Sequence, residues 1–273
     1  VTIGAEAALW MGPVNLQQVA GATIPGAPAL SVTCTGDGSP SCAALAESWA
    51  DASGRRLPAL LKSKGFPEDT TLAAAAFSAG GSILKRLCLS PADRAQLRVV
   101  HSADASYEAV AGQRPFVEGY VRYALEALTD PSKLFVATAS AGANKNFGSG
   151  IEIITSTRKE IERRAGQQFQ LGGVLPGVTP QPAALWRLGE RIWIAEYPDI
   201  SHGQQATLLA PQIWQGLILP WLGGSSGPGP IPSPPGPGPT PVADGSSSLQ
   251  SLLAFGMGML LGYGGIRLWQ SRG

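Results

Sequence analysis

The sequence predicts an α/β fold with a mostly parallel sheet flanked by helices. Three observations predict it: short apolar runs recur along the chain, stretches with helical spacing separate them, and one run leads through a serine between small residues directly into a helix-like stretch. With 44% hydrophobic residues, a chain of 273 residues buries a full core. Residues 1–222 read as one domain built of βα units.

In chain order, strands are expected at 5–11, 29–34, 71–77, 97–102, 134–139 and 191–197, and helices near 42–64, 80–89, 115–128 and 156–165. Gly65 is placed to stop the helix before the third strand. Thr157 and Glu160 form a T-x-x-E pattern, the signature of a capping box, so a helix is expected to start there and run through Ile161. The run from Arg191 to Tyr197 alternates and is rich in aromatic and β-branched residues, which reads as a strand. A turn over 198–201 follows. The closing helix is then expected between Gln204 and Leu222, with Leu208, Leu209, Ile213, Leu217 and Ile218 on its apolar face and a break or start near Pro211.

The chemistry centres on Ser78. It stands in Ala76-Phe77-Ser78-Ala79-Gly80, between the apolar run 72–77 and the stretch Ile83-Leu84-Lys85-Arg86-Leu87. A nucleophile elbow turns the chain sharply from strand to helix and demands small residues two positions before and after the serine. Ala76 and Gly80 meet that demand, with alanine in place of the first glycine of G-x-S-x-G. A serine hydroxyl also needs a histidine to take its proton, and the chain holds two, His101 and His202. His202 lies on the loop after the last strand and before the closing helix, and is the candidate to take the Ser78 proton. His101 falls inside a strand and reads as structural, or as a polar group behind the site. The carboxylate that orients the imidazole is assigned to Asp104, at the end of the strand 97–102, which the parallel-sheet rule puts at the same carboxyl edge. Asp199 is the competitor, although three residues before His202 it reads as a cap of its own turn. The strand at 134–139 ends in Ala139-Ser140-Ala141-Gly142-Ala143-Asn144, without a carboxylate.

These segments together resemble the α/β-hydrolase superfamily: FSAGG at 77–81, HSADASY at 101–107 and PDISHGQQ at 198–205, in the order Ser, Asp, His. The resemblance covers about the first 220 residues and rests on motif order and strand–helix alternation. It implies hydrolysis of an ester, amide or related acyl bond through an acyl-serine, with Ser78 as nucleophile, His202 as acid and base, and Asp104 as orienting carboxylate. In such a site the backbone N–H of Ala79 is one oxyanion donor. The second is expected from the loop after the first strand, at Met11 or Gly12, because Pro13 has no N–H. Loops at 105–115 and 140–150 would line the pocket with Tyr107, Glu108, Arg114, Asn144, Lys145, Asn146 and Phe147, a mixed polar set that selects no ligand class.

Other function classes find little support. A net charge of +1 without a basic stripe excludes the usual nucleic-acid footprint. There is no Walker loop, dinucleotide fingerprint or metal-ligand cluster, so neither a metal nor another cofactor is expected. Residues 223–248 form a Pro/Gly/Ser-rich linker that reads as a semi-flexible spacer. Residues 249–266 carry no formal charge, and with Leu268 and Trp269 they make a transmembrane helix over 249–269, followed by a short tail at 270–273. Gly258 and Gly262 match GxxxG and suggest self-association through that helix. Arg267 and Arg272 orient it with the domain on the extracytoplasmic side. Cys34 and Cys42 either close a short disulfide loop, leaving Cys88 unpaired, or remain buried thiols with it.

Two functions therefore stand as expectations. One is a membrane-tethered serine hydrolase acting on a small or envelope-associated acyl substrate. The other is a non-catalytic interaction or scaffold protein on the same fold, motivated by Pro13 and Ala76.

Overall fold

A computed structural model of the chain describes residues 5–15, 17–19, 21–36, 41–106, 116–142 and 149–223. All of these belong to the unit Val1–Ile231. The expected spacer beyond Gly223, the membrane helix with Gly258 and Gly262, and the pocket residues 107–115 and 143–148 lie outside the described residues. Among the described residues no helix is long and apolar enough to cross a membrane.

The architecture is an α/β fold with a mostly parallel eight-stranded sheet. In chain order the strands are β1 (Ala7–Gly12), β2 (Ala29–Thr33), β3 (Leu72–Phe77), β4 (Leu97–Ala103), β5 (Leu134–Ser140), β6 (Gln170–Leu171), β7 (Ala184–Leu188) and β8 (Ile192–Tyr197). They are arranged β2-β1-β3-β4-β5-β8-β7-β6. The six expected strands are the parallel ones, while β7 and β6 extend the sheet antiparallel beyond β8. The β7–β8 hairpin turns at Gly189, whose φ of 61° suits glycine. Its signal in the sequence was Leu185-Trp186-Arg187-Leu188 followed by that glycine, which a search for alternating βα units passes over.

Alternation along the strands divides the core into two faces. Leu9, Met11, Leu72, Ala74 and Ala76 look one way, together with helices α1 (Cys42–Ser48), α2 (Leu57–Ser63), α3 (Gly81–Leu87), α5 (Glu118–Thr129) and α6 (Gly150–Ala165); the short α4 (Pro91–Gln96) leads into β4. Ala8, Trp10, Ala73, Ala75 and Phe77 look the other way, onto Val19, Ala22 and the closing helix α7 (202–222). The handedness of parallel crossovers explains this split. From β2 onward the chain steps across the sheet in one direction and keeps its crossover helices on one face, whereas the step from β1 to β2 runs the other way and puts its connection on the opposite face. The switch falls between β1 and β3, and a crevice at the carboxyl ends of these strands is where open α/β sheets bind ligands.

Several helix boundaries differ from expectation. The helix expected over 42–64 is two helices, because Asp51 draws the chain into a turn by accepting from the N–H groups of Ser53 and Arg55 at 2.8 and 2.9 Å, and Gly54 takes a φ of 78°. Gly65, with φ 77°, follows the end of α2 as expected. Helix α6 begins at Gly150 and not near Thr157: Ser149 and Glu152 make the reciprocal capping box, at 3.1 and 2.9 Å. Thr157 is buried inside the helix, where its hydroxyl donates to the Ile153 carbonyl and accepts from the N–H of Val117. The two S/T-x-x-E patterns look alike in sequence, but only Ser149 has the extended backbone an N-cap needs. Helix α7 spans 202–222 without stopping at Pro211, and contains two wide π turns, Gln205–Leu209 and Trp214–Ile218. Each π turn sits just ahead of a proline, Pro211 or Pro220, and relieves the clash between the proline ring and the carbonyl four residues back.

Candidate functional site

The register of the sheet brings Gly12, Phe77, Ala103, Ser140 and Tyr197 to one carboxyl edge. Ser78, Asp104 and His202 follow three of these strand ends. Ser78 and Asp104 are the two non-glycine residues with positive φ among the described residues, at 53° and 48°. Such backbone costs on the order of 1–3 kcal/mol and persists only where its surroundings impose it.

At Ser78 the surroundings are two glycines and the end of β1. The chain leaves β3, makes a 3-10 turn over Ser78–Gly80 and enters α3. A Cβ on Gly80 would collide with the Met11 carbonyl and the Gly12 nitrogen, and one on Gly81 with the Ala105 carbonyl. Gly12, at φ 145°, lies so close to the Phe77 carbonyl that it too has no room for a side chain. The turn is thus wedged between β1 and the loop after β4. Ala76 lies within the strand and is fully buried in the core, so the alanine in place of the first motif glycine meets no such constraint.

The expected oxyanion positions border this wedge. Met11 is paired on both sides, with Val32 and Ala76, while Gly12 ends β1 beside Gly80. Ala79 is half-buried. Pro13 is exposed. A disulfide joins Cys34 to Cys42, which settles the alternatives for these cysteines, and Cys88 is a buried free thiol that burial makes harder to ionise. The disulfide loop touches the end of β1, where the Cys34 N–H donates to the Gly12 carbonyl at 3.2 Å.

Asp104 is fully buried. Its N–H donates to the Thr138 carbonyl at 2.9 Å, and Tyr120 donates to the carbonyl of the next residue, Ala105, at 3.1 Å, which pins the loop from both sides. One carboxylate oxygen, Oδ1, accepts from the Ser140 N–H at 3.1 Å; the other, Oδ2, accepts from the Ser140 hydroxyl and lies 2.7 Å from Nδ1 of His202. A Cβ on Gly150, the first residue of α6, would strike Oδ1. The imidazole of His202 is about one-third exposed, at 38%, and its ring packs on that of Phe77 with centroids 4.5 Å apart. Phe77, the residue before Ser78, therefore carries the imidazole on its ring. With Nδ1 donating to Asp104, the neutral ring presents Nε2 as an acceptor.

Asp104 rather than Asp199 is the partner of His202. Asp199 is exposed on its turn, and the capping there is done by Gln204, whose side-chain oxygen accepts from the N–H of Ser201 at 3.1 Å. His101 lies buried on the α7 face, where its Nδ1 accepts from the Trp214 indole at 3.2 Å and burial pushes its pKa down to about 3. It is neutral and apart from the Asp104–His202 pair. Sequence reasoning missed Phe77, Ser140 and Gly150; Ser140 stood in plain view at the end of β5, but nothing in its local pattern points to Asp104. Among the described residues no group of three or more His, Cys, Asp or Glu is arranged to hold a metal. A cavity of about 340 Å³ lined by Arg55, Pro58, Glu68, Asp69, Ala92 and Gln96 lies toward the starts of β3 and β4, at the edge opposite Ser78, and takes no part in this site. No protein-family model and no curated protein matches the chain.

Proposed function

We propose that the chain is a serine hydrolase of the α/β-hydrolase type that cleaves an ester, amide or related acyl bond. The observation that carries the reading is the meeting of a buried Asp104 carboxylate with His202 Nδ1 at 2.7 Å, beside a serine held at positive φ on a strand-to-helix turn. A generic core histidine has no need of a buried carboxylate, and a generic turn has no need of a strained serine.

In the proposed reaction Ser78 Oγ attacks the acyl carbon while its proton passes to Nε2 of His202. The tetrahedral oxyanion is held by the N–H of Ala79 and a donor at the end of β1. As the intermediate collapses, the bond to the leaving group breaks and His202 returns the proton to it. Water then adds to the acyl-serine by the same path, releasing the acid and restoring Ser78. Asp104 keeps the Nδ1 tautomer throughout and stabilises the imidazolium.

A membrane-tethered, extracytoplasmic enzyme acting on a small or envelope-associated substrate is the cellular setting we infer. The uncharged run at 249–266 behind the Pro/Gly/Ser stretch supports it, as does the Cys34–Cys42 disulfide, a bond typical of oxidising compartments. The second reading is a binding or scaffold protein whose chemistry has lapsed. It is favoured by Pro13, which has no N–H where a second oxyanion donor is wanted.

The deciding test is intact-mass labelling of the full chain with a fluorophosphonate, beside Ser78→Ala and His202→Ala. One adduct on the parent, absent from both variants, is expected. A folded parent that takes no adduct turns the assignment to the scaffold.

A further inference from the structure

We infer that Ser140 is a positioning residue that fixes the Asp104 carboxylate for His202; the inference rests on the serine-hydrolase reading of the site. A histidine bond alone leaves a carboxylate able to rotate about its own axis, and each rotation carries Oδ2 away from Nδ1. Ser140 removes that freedom by engaging both oxygens, Oδ1 through its N–H at 3.1 Å and Oδ2 through its hydroxyl. Oδ2 is also the oxygen that meets His202, so the Ser140 hydroxyl and the imidazole approach the same atom from two directions.

The backbone makes this arrangement specific. Two residues earlier on β5, the Thr138 carbonyl holds the Asp104 N–H, so the end of one strand grips both the main chain and the side chain of Asp104. Beside Oδ1 stands Gly150, which opens the sixteen-residue helix α6 and carries no side chain where a Cβ would strike the carboxylate. A helix N-terminus also favours a carboxylate near it. Ser140 is 1% exposed, and its hydroxyl has no role in solvation that would explain it otherwise. The end of β5 thus contributes a hydroxyl and an amide to an acid that sits on β4.

The test uses the full chain with Ser140→Ala and the conservative Ser140→Thr. Two quantities are read: the rate of fluorophosphonate labelling at Ser78, and the hydrogen-bonded imidazole proton of His202 in the low-field NMR spectrum, assigned by its loss in His202→Gln. Removing one hydrogen bond to a charged group should slow labelling on the order of tenfold and move the proton upfield, while Ser140→Thr keeps both near the parent. A Ser140→Ala protein that labels at the parental rate with the proton unmoved overturns the inference. Equal losses in Ser140→Ala and Ser140→Thr overturn it as well, since they mark a packing effect. A parent that does not label removes the hydrolase reading, yet the shift of the proton between parent and Ser140→Ala still decides the positioning role. Should Ser140→Ala fail to fold, Ser140→Cys, of similar size and a weaker donor, takes its place in both measurements.

Discussion

Gly80 carries no side chain, and the space a Cβ would take is filled by the Met11 carbonyl and the Gly12 nitrogen. Neither is the end of a movable side chain, so a methyl group there must push strand β1 away from the Ser78 turn. Gly80→Ala should cost about 1–3 kcal/mol of stability, as overpacking does, and also slow labelling of Ser78. Gly203, next to His202, is the contrasting case: nothing lies within 4 Å of its Cβ position, and it sits in the first turn of α7. Gly203→Ala should leave stability unchanged or raise it by up to about 1 kcal/mol. Thermal melts of the two variants test the contrast; equal effects would mean that the wedge at Gly80 is not what holds the turn. At this scale Ser78 and Asp104 were legible from their places at strand ends, and His202 because it is one of two histidines in the chain and the one on a loop. Ser140 and Phe77 were not, because a buried hydroxyl and a buried ring acquire their partners only through the register of β5 and the path of α7.

The connection between β2 and α1 is short and carries the Cys34–Cys42 disulfide, with the cysteines eight positions apart. Closing a loop of that length stabilises the fold by about 2–3 kcal/mol through the unfolded chain. The same loop holds the Gly12 carbonyl through the Cys34 N–H, so its effect reaches the end of β1 in the candidate oxyanion cradle. Reduction, or the double change Cys34→Ser with Cys42→Ser, should lower the urea midpoint accordingly and slow labelling of Ser78 in protein that is still folded. Unchanged labelling in the folded double variant would show that the loop braces the fold and not the cradle. Element boundaries also show where local signals fall short. The pattern Thr157-x-x-Glu160 is a capping signature that the protein places in mid-helix, because the earlier Ser149-x-x-Glu152 caps the same helix about two turns upstream. Asp51 and Gly54 broke a helix that apolar spacing alone would have continued.

Across the whole molecule, acid sensitivity follows from one buried base. Burial depresses the His101 pKa to about 3, against about 6.5 in an unfolded chain. Between these values the unfolded chain binds a proton that the native protein does not, so stability falls as pH drops from about 6.5 toward 3. Going from pH 7 to pH 4.5 this group alone should remove on the order of 2 kcal/mol. His101→Gln should therefore lose less stability than the parent over that interval, whatever its stability at pH 7. Urea midpoints at the two pH values measure it, and equal losses would show that His101 is not the responsible group. The burial arises from the packing of Trp214, carried by α7, on a histidine of the central sheet.

The sequence by itself determined the class of fold, the six parallel strands and the three polar residues at their ends, because buried strands must be apolar and a strand-to-helix turn must be small. It also determined that Pro13 donates no hydrogen bond. Tertiary structure alone decided that Oδ2 of Asp104 meets Nδ1 of His202, that Cys34 and Cys42 are joined, that an antiparallel hairpin widens the sheet, and that Ser140 grips the carboxylate. The physical reason is range. Hydrophobic period and turn chemistry act over a few neighbouring residues and are written locally, whereas a hydrogen bond between Asp104 and His202 joins positions 98 residues apart and exists only once strand order and register have brought them to one edge.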